Sequence, residues 1–185
     1  GDHYGGHRLF KGKYNLPVTM SETDWQLALT LPEHPRFGPA PDNGVTVKHG
    51  ETLTVGNSSL TVHVTPGHTM GTISPVFTVY DNGVPYKAAL WGGTGFNFGV
   101  NPEQFAAYAE AAQRFKKNAM KENVVVFLSN HGKRDGSIEK MEQLAERGED
   151  EPHPFVMGDK ALEVFDVLEQ CAMAQYDRIK DGQYP

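Results

Sequence analysis

Three of the eight histidines stand where a backbone can deliver an imidazole into a site: His3, His68 and His131. Neutral imidazole is the commonest zinc ligand, so their surroundings matter. Asp2 directly precedes His3. A carboxylate beside an imidazole either shares a cation with it or orients a water held by that cation, although an Asp-His pair alone says little. His68 lies in Thr65-Pro66-Gly67-His68-Thr69-Met70-Gly71. Glycines near it on both sides let the chain bend and turn the ring inward; the competing reading is a turn histidine packed on a sheet. His131 closes Leu128-Ser129-Asn130-His131 and is followed by Gly132. The C-terminal end of a buried strand is where α/β proteins place ligands and catalytic groups; the competing reading is a ring satisfied by a neighbouring carbonyl. The three together carry more than any one of them.

Such residues need elements that end on a common rim. Residues 1–15 read as a loop and a short helix. Ser21 to Asp24 resembles a capping box, with Asp where Glu is usual, opening a short helix through Trp25 and Leu29. Residues 31–44 hold four prolines and read as a loop. Residues 45–90 are β-rich. Leu60, Val62 and Val64 alternate with Thr61, His63 and Thr65, the period of a half-buried strand whose polar face carries His63. Ile73 to Tyr80 and Tyr86 to Trp91 flank Asp81-Asn82-Gly83, a hairpin signal. A Gly-rich loop, residues 92–99, leads to Asn101-Pro102, a helix start. Val124 to Leu128 is a buried strand. Ser137 is placed as the cap of a helix bearing Ile138, Met141 and Leu144. A last helix spans about residues 159–179. The order predicts an α/β layered domain with helices over a mixed sheet.

The chain's 185 residues suffice for one domain with a sizeable core. The formal net charge of -6 gives no footing for nucleic acid or an anionic membrane. No apolar run approaches the ~18 residues of a membrane span. The one cysteine, Cys171, excludes an intrachain disulfide and is placed in the apolar stripe of the last helix, as a core residue. His34, His49, His63 and His153 read as surface residues. His7, one helical turn from His3, is within reach of the same site, and Tyr4 reads as packing.

The histidine pattern is similar to that of a known family. Asp2-His3-Tyr4-Gly5-Gly6 resembles the second half of His-x-His-x-Asp-His-x-Gly-Gly, the signature of the metallo-β-lactamase superfamily. Thr65-Pro66-Gly67-His68-Thr69-Met70-Gly71 resembles its third motif, and Asn130-His131 its last. The resemblance runs in order along nearly the whole chain. It implies an αββα sandwich, with residues 1–185 forming the C-terminal part of one domain whose N-terminal half is missing from this chain. It implies a zinc-dependent hydrolase that directs a metal-bound hydroxide at an amide or ester carbonyl, two zinc ions per complete site, and a small-molecule substrate. Two histidines before Gly1 would hold the first zinc with His68; Asp2, His3 and His131 would hold the second. Asp2 would also be catalytic, orienting the nucleophile and passing a proton to the leaving group. An upstream fragment of the same protein is the expected partner, and relatives of this kind favour a periplasmic or secreted location.

One departure narrows the family. Many relatives carry a bridging Asp or a Cys ligand after the strand that ends here at Trp91. This chain has Gly92-Gly93-Thr94. That resembles the third subclass of metallo-β-lactamases, whose ligands are His and Asp only, and argues against glyoxalase-type and lactonase-type relatives. Thr94 and Asn97 occupy the loop that contacts substrate in that subclass, though the spelling differs from its Ser-rich loop. Two other readings stand beside the leading one: a superfamily hydrolase of lactones, thioesters or phosphoesters, and a non-catalytic domain with an incomplete metal site.

Overall fold

The computed structural model describes residues 1–183. A short helix α1 (His7–Tyr14) opens the chain, followed by β1 (Thr19–Ser21) and α2 (Glu22–Thr30). Ser21 caps α2 by accepting from the Asp24 N–H at 3.2 Å, as the capping pattern predicts. The proline-rich loop leads to β2 (Val45–Val47), which pairs in parallel with β1.

The main sheet has five strands: β3 (Thr52–Val55), β4 (Ser58–Val64), β5 (Ile73–Asp81), β6 (Val84–Trp91) and β7 (Val124–Ser129), in that spatial order. The first four pair antiparallel. Asn82 and Gly83 take positive φ, 48° and 83°, at the tip of the β5–β6 hairpin, the conformation the Asn-Gly signal predicts. Strand β7 is parallel to β6, so the chain must cross over between them. It does so through α3 (Pro102–Lys121), which Asn101 caps by accepting from Gln104 N at 3.0 Å. After β7 come α4 (Gly132–Asp135), α5 (Ser137–Glu146) and α6 (Lys160–Lys180).

Helices α3 and α6 pack together on one face of the sheet. Val76, Ala89, Trp91 and Phe127 project from the strands to meet Phe105, Tyr108, Phe115 and Phe165, and all eight are buried. Each fully buried aromatic side chain contributes roughly 1.5–3 kcal/mol. The opposite face presents Phe77, Val79, Leu90 and Leu128, which are only partly covered. Val79, Tyr86, Val126 and Leu128 line a cleft of about 180 Å³ there, closed on one side by Phe155 and Val156.

The structure corrects three expectations. His63 is 6% exposed, not on the surface. The face of β4 that carries Thr61, His63 and Thr65 lies under α3, so His63 stacks edge-on against Phe115 at 5.2 Å. Thr65 and Ser74 are buried there because their hydroxyls bond each other at 2.7 Å. Cys171 is exposed. Ala172, about 100° further round the helix, takes the buried position with Phe165 and Ala161. Ser137 is the first residue of α5 and makes no side-chain cap; the carboxylate of Asp135 accepts from its N–H at 2.9 Å instead.

Candidate metal centre

Four segments meet at the rim formed by the ends of β4, β6 and β7. The β4–β5 turn carries His68. Gly67 takes φ 150°, and a Cβ there would stand 2.3 Å from the Tyr108 ring. Its carbonyl accepts from Gln104 Nε2 at 2.6 Å. On the other side of His68, Thr69 N donates to Thr72 Oγ1 at 2.9 Å. Helix α2 closes the turn from below. Asp24 accepts from Thr69 Oγ1 at 2.7 Å and from Gly71 N at 3.1 Å, while Ser21 Oγ donates to Gly71 O at 2.6 Å. Burial pushes the Asp24 carboxyl up, against these hydrogen bonds and the nearby His68 and His3.

The loop after β6 packs directly on the His68 side chain. A Cβ at Gly93 would lie 2.2 Å from His68 Cβ, so only glycine fits. The Gly93 carbonyl accepts from Trp91 Nε1 at 2.8 Å and from the Tyr108 hydroxyl at 2.9 Å. Burial raises the Tyr108 pKa well above its ordinary value, which keeps that hydroxyl a donor. Two residues on, the Gly95 carbonyl lies 2.8 Å from His68 Nδ1. A carbonyl can only accept, so Nδ1 carries the proton and Nε2 keeps a free lone pair.

Strand β7 ends at Ser129, opposite Trp91 in the register. Asn130 Nδ2 then donates to Gly92 O at 2.6 Å and approaches His3 Nδ1 at 3.1 Å. Asp135 holds the turn by accepting from Ser129 N at 2.7 Å. At the start of the chain, Gly5 N donates to Gly1 O at 2.9 Å, a turn that presents Asp2 and His3.

The donors converge. Asp2 Oδ2 is 3.6 Å from His131 Nε2 and 4.0 Å from His3 Nε2. Asp2, His3 and His131 offer one donor atom each, all within 4.8 Å of one another. The ring centroids of His3 and His68 are 4.9 Å apart, and those of His3 and His131 5.4 Å. Burial lowers the His3 pKa, and the neighbouring His68 acts in the same direction. For Asp2, burial acts upward, but His3, its own backbone N–H and His131 bring its carboxyl below the ordinary value. One carboxylate and imidazoles in this spacing form a donor set suited to zinc.

The structure therefore brings Asp2, His3 and His131 into one group, with His68 beside it. Of the loop residues, Thr94 has a buried hydroxyl with no hydrogen-bond partner among the described residues, and Asn97 is exposed. Phe96 and Phe98 pack on Phe105 at 5.2 and 4.7 Å. His7 bonds the Tyr4 carbonyl through Nδ1 and stands outside the group. The residues that hold the site in shape are Asp24, Gln104, Tyr108 and Asn130. Sequence reading took Asp24 only as part of a cap, and no spacing rule links it to His68.

No family model and no curated protein matches this sequence. Solved structures do. A subclass B3 metallo-β-lactamase of Bradyrhizobium japonicum superposes with a TM-score of 0.75 over 97% of this chain, at 22% identity. The chain has the metallo-β-lactamase fold. The native metallo-β-lactamase of Legionella gormanii matches at TM-score 0.75, 21% identity and 98% coverage, and one from Cronobacter sakazakii at 0.71, 21% and 95%. The chain accounts for 70%, 71% and 69% of these three solved chains. The β4–β5 turn carries His68 and the β7–α4 junction His131, while Asp2 and His3 come from the turn that opens the chain. Among the described residues no helix is long and apolar enough to cross a membrane.

Proposed function

We propose that this chain belongs to a zinc-dependent hydrolase that acts on an amide or ester carbonyl, with β-lactams the first substrate class to test. The observation that carries the reading is the convergence of Asp2, His3 and His131, with donor atoms within 4.8 Å of one another, beside His68. Asp2, His3 and His131 would hold one zinc, and His68 would contribute to a second. Zinc bound there would supply Lewis acidity, lowering the pKa of a water and polarising a carbonyl.

The chain's own groups have clear duties in this scheme. The Gly95 carbonyl accepts from His68 Nδ1, which in the neutral ring would leave Nε2 to ligate. Asn130 ties His3 to the end of β6. Asp2 has two carboxylate oxygens, one for a cation and one to orient a water or carry a proton to a leaving group. Thr94 and Asn97, on the loop that packs against His68, would meet the substrate in this reading. The structural neighbours are metallo-β-lactamases, which supports the substrate class. An upstream segment of the same protein, lying against the partly covered sheet face, and a periplasmic or secreted setting belong to the same proposal.

The experiment is zinc content by mass spectrometry, followed by hydrolysis of a chromogenic β-lactam and of thioester and lactone analogues. About two zinc ions and β-lactam turnover support the reading. Zinc with turnover of another analogue alone moves it to a different hydrolase. Absence of zinc from protein purified without chelator sinks it.

A further inference from the structure

Apart from the ligands themselves, one acidic side chain is committed to the His68 turn. Asp24 comes from helix α2, yet both its carboxylate oxygens are used on residues 45 and 47 positions away. Oδ2 takes the Thr69 hydroxyl and Oδ1 takes the Gly71 N–H. Thr69 is the residue after His68, and its hydroxyl also lies 2.8 Å from Thr72 Oγ1, which in turn accepts the Thr69 N–H. Gly71 has no room for a side chain: a Cβ there would stand 2.5 Å from Asp24 Oδ1 and 2.3 Å from Ser21 Oγ. The contact is therefore a close, shape-matched one. A helix cap alone would need only the Ser21 hydroxyl.

We infer that Asp24 is a positioning residue for His68, fixing the Thr69–Gly71 backbone so that the imidazole meets the Gly95 carbonyl with Nε2 directed into the metal centre. The inference rests on the metal reading above. Two anchors act on one ring: the carboxylate sets where the His68 backbone lies, and the Gly95 carbonyl sets which nitrogen is free. Loss of the first releases the second, because a shift of the turn by about 1 Å carries Nδ1 out of hydrogen-bond range. The negative charge of Asp24 near His68 and His3 also favours a cation at the rim.

The test compares the parent chain with Asp24→Ala, Asp24→Asn and Thr69→Ala. Zinc affinity is read by competition with a chromophoric chelator, and the His68 ring nitrogens by NMR of metal-free protein at a pH where imidazoles are neutral. Asp24→Ala is expected to weaken zinc binding about 10–100-fold and to scramble the His68 tautomer while circular dichroism is retained. Asp24→Asn, which keeps an acceptor for Gly71 N, is expected to recover most of the affinity. If Asp24→Ala fails to fold, Thr69→Ala removes one of the same contacts and is expected to show the same ring signature. Lower thermal stability with unchanged zinc affinity and unchanged His68 signals overturns the inference. A parent chain that takes up no zinc overturns the metal reading instead, and the metal-free NMR comparison still decides the role of Asp24.

Discussion

The Nδ1 atom of His68 lies 2.8 Å from the carbonyl oxygen of Gly95, although 27 positions separate the two in sequence. This contact depends on Gly93, two residues earlier, which leaves space for the His68 side chain. Gly93→Ala would put a Cβ 2.2 Å from His68 Cβ. The ring must then move by more than an ångström, enough to cost about 100-fold in a positioned reaction. We expect Gly93→Ala to retain its fold and lose turnover to that extent, together with one of two zinc equivalents. Full zinc content and full activity in the variant would contradict the geometry.

The cluster of Asp2, His3 and His131 should behave as one binding unit. Replacing a single ligand leaves two donors and an open position, so Asp2→Asn and His131→Ala should each weaken zinc binding by at least about 100-fold, more than an outer-shell change. Equilibrium dialysis with zinc measures this directly. His7→Ala, outside the group, serves as the control and should leave affinity unchanged.

Buried His63 makes the fold sensitive to acid. Burial lowers its pKa first; Glu122, 3.6 Å away, opposes that, and His49 and Arg114 add to it. A base whose folded pKa lies below its unfolded value favours the neutral form in the fold. Its contribution is complete above the unfolded pKa of about 6.5 and is lost as pH falls through the lower folded value. Urea midpoints of the parent should therefore decline as pH falls below about 6.5, and those of His63→Gln should decline less. Parallel curves would exclude His63 as the source.

Asp81 and Arg147 give the opposite case, an ion pair held in two places. Arg147 Nη1 and Nη2 donate to Asp81 Oδ1 and Oδ2 at 3.0 and 2.9 Å, tying the loop after α5 to the β5–β6 hairpin. The hydrogen bonds from Arg147 hold the Asp81 carboxyl below its ordinary value. Stability from this pair is present above the unfolded carboxylate pKa, about 3.9, and is lost as pH falls through the lower folded one. Arg147→Ala should lower the melting temperature at neutral pH, and the gap to the parent should close below about pH 4. A gap that is constant down to pH 2 would show that packing, not charge, is at work.

Much of the fold was legible in the sequence because local signals agreed with the tertiary outcome. The Asn82-Gly83 turn, the Asn101-Pro102 helix start and the run Val124 to Leu128 each specify one conformation by backbone chemistry alone. The face of β4 was not legible. Alternation shows that two faces differ, but it does not show that α3 will cover the polar one, which Thr65 and Ser74 tolerate by bonding each other. Cys171 was misplaced for a related reason: an apolar stripe wider than the contact leaves its margin exposed. At the site, the candidate ligand histidines announced themselves through flanking glycines and strand ends. Asp24 and Tyr108 did not, since their partners are backbone groups, and a backbone carbonyl leaves no mark in sequence.

The crossover through α3 has a kinetic side. Asn130 and His3, which touch at the rim, are 127 positions apart, and Asp24 and Thr69 are 45 apart. Contacts of such long range are closed late, after local hairpins and helices have paid down the loop entropy that opposes them. The β5–β6 hairpin and α3 can form early from neighbouring residues, while the histidine rim has to wait for the opening residues to meet the end of β7. A chain arrested part-way through folding would accordingly hold most of its core and none of the Asp2–His3–His131 group, and if that group binds a cation, cation uptake would report the last stage of assembly.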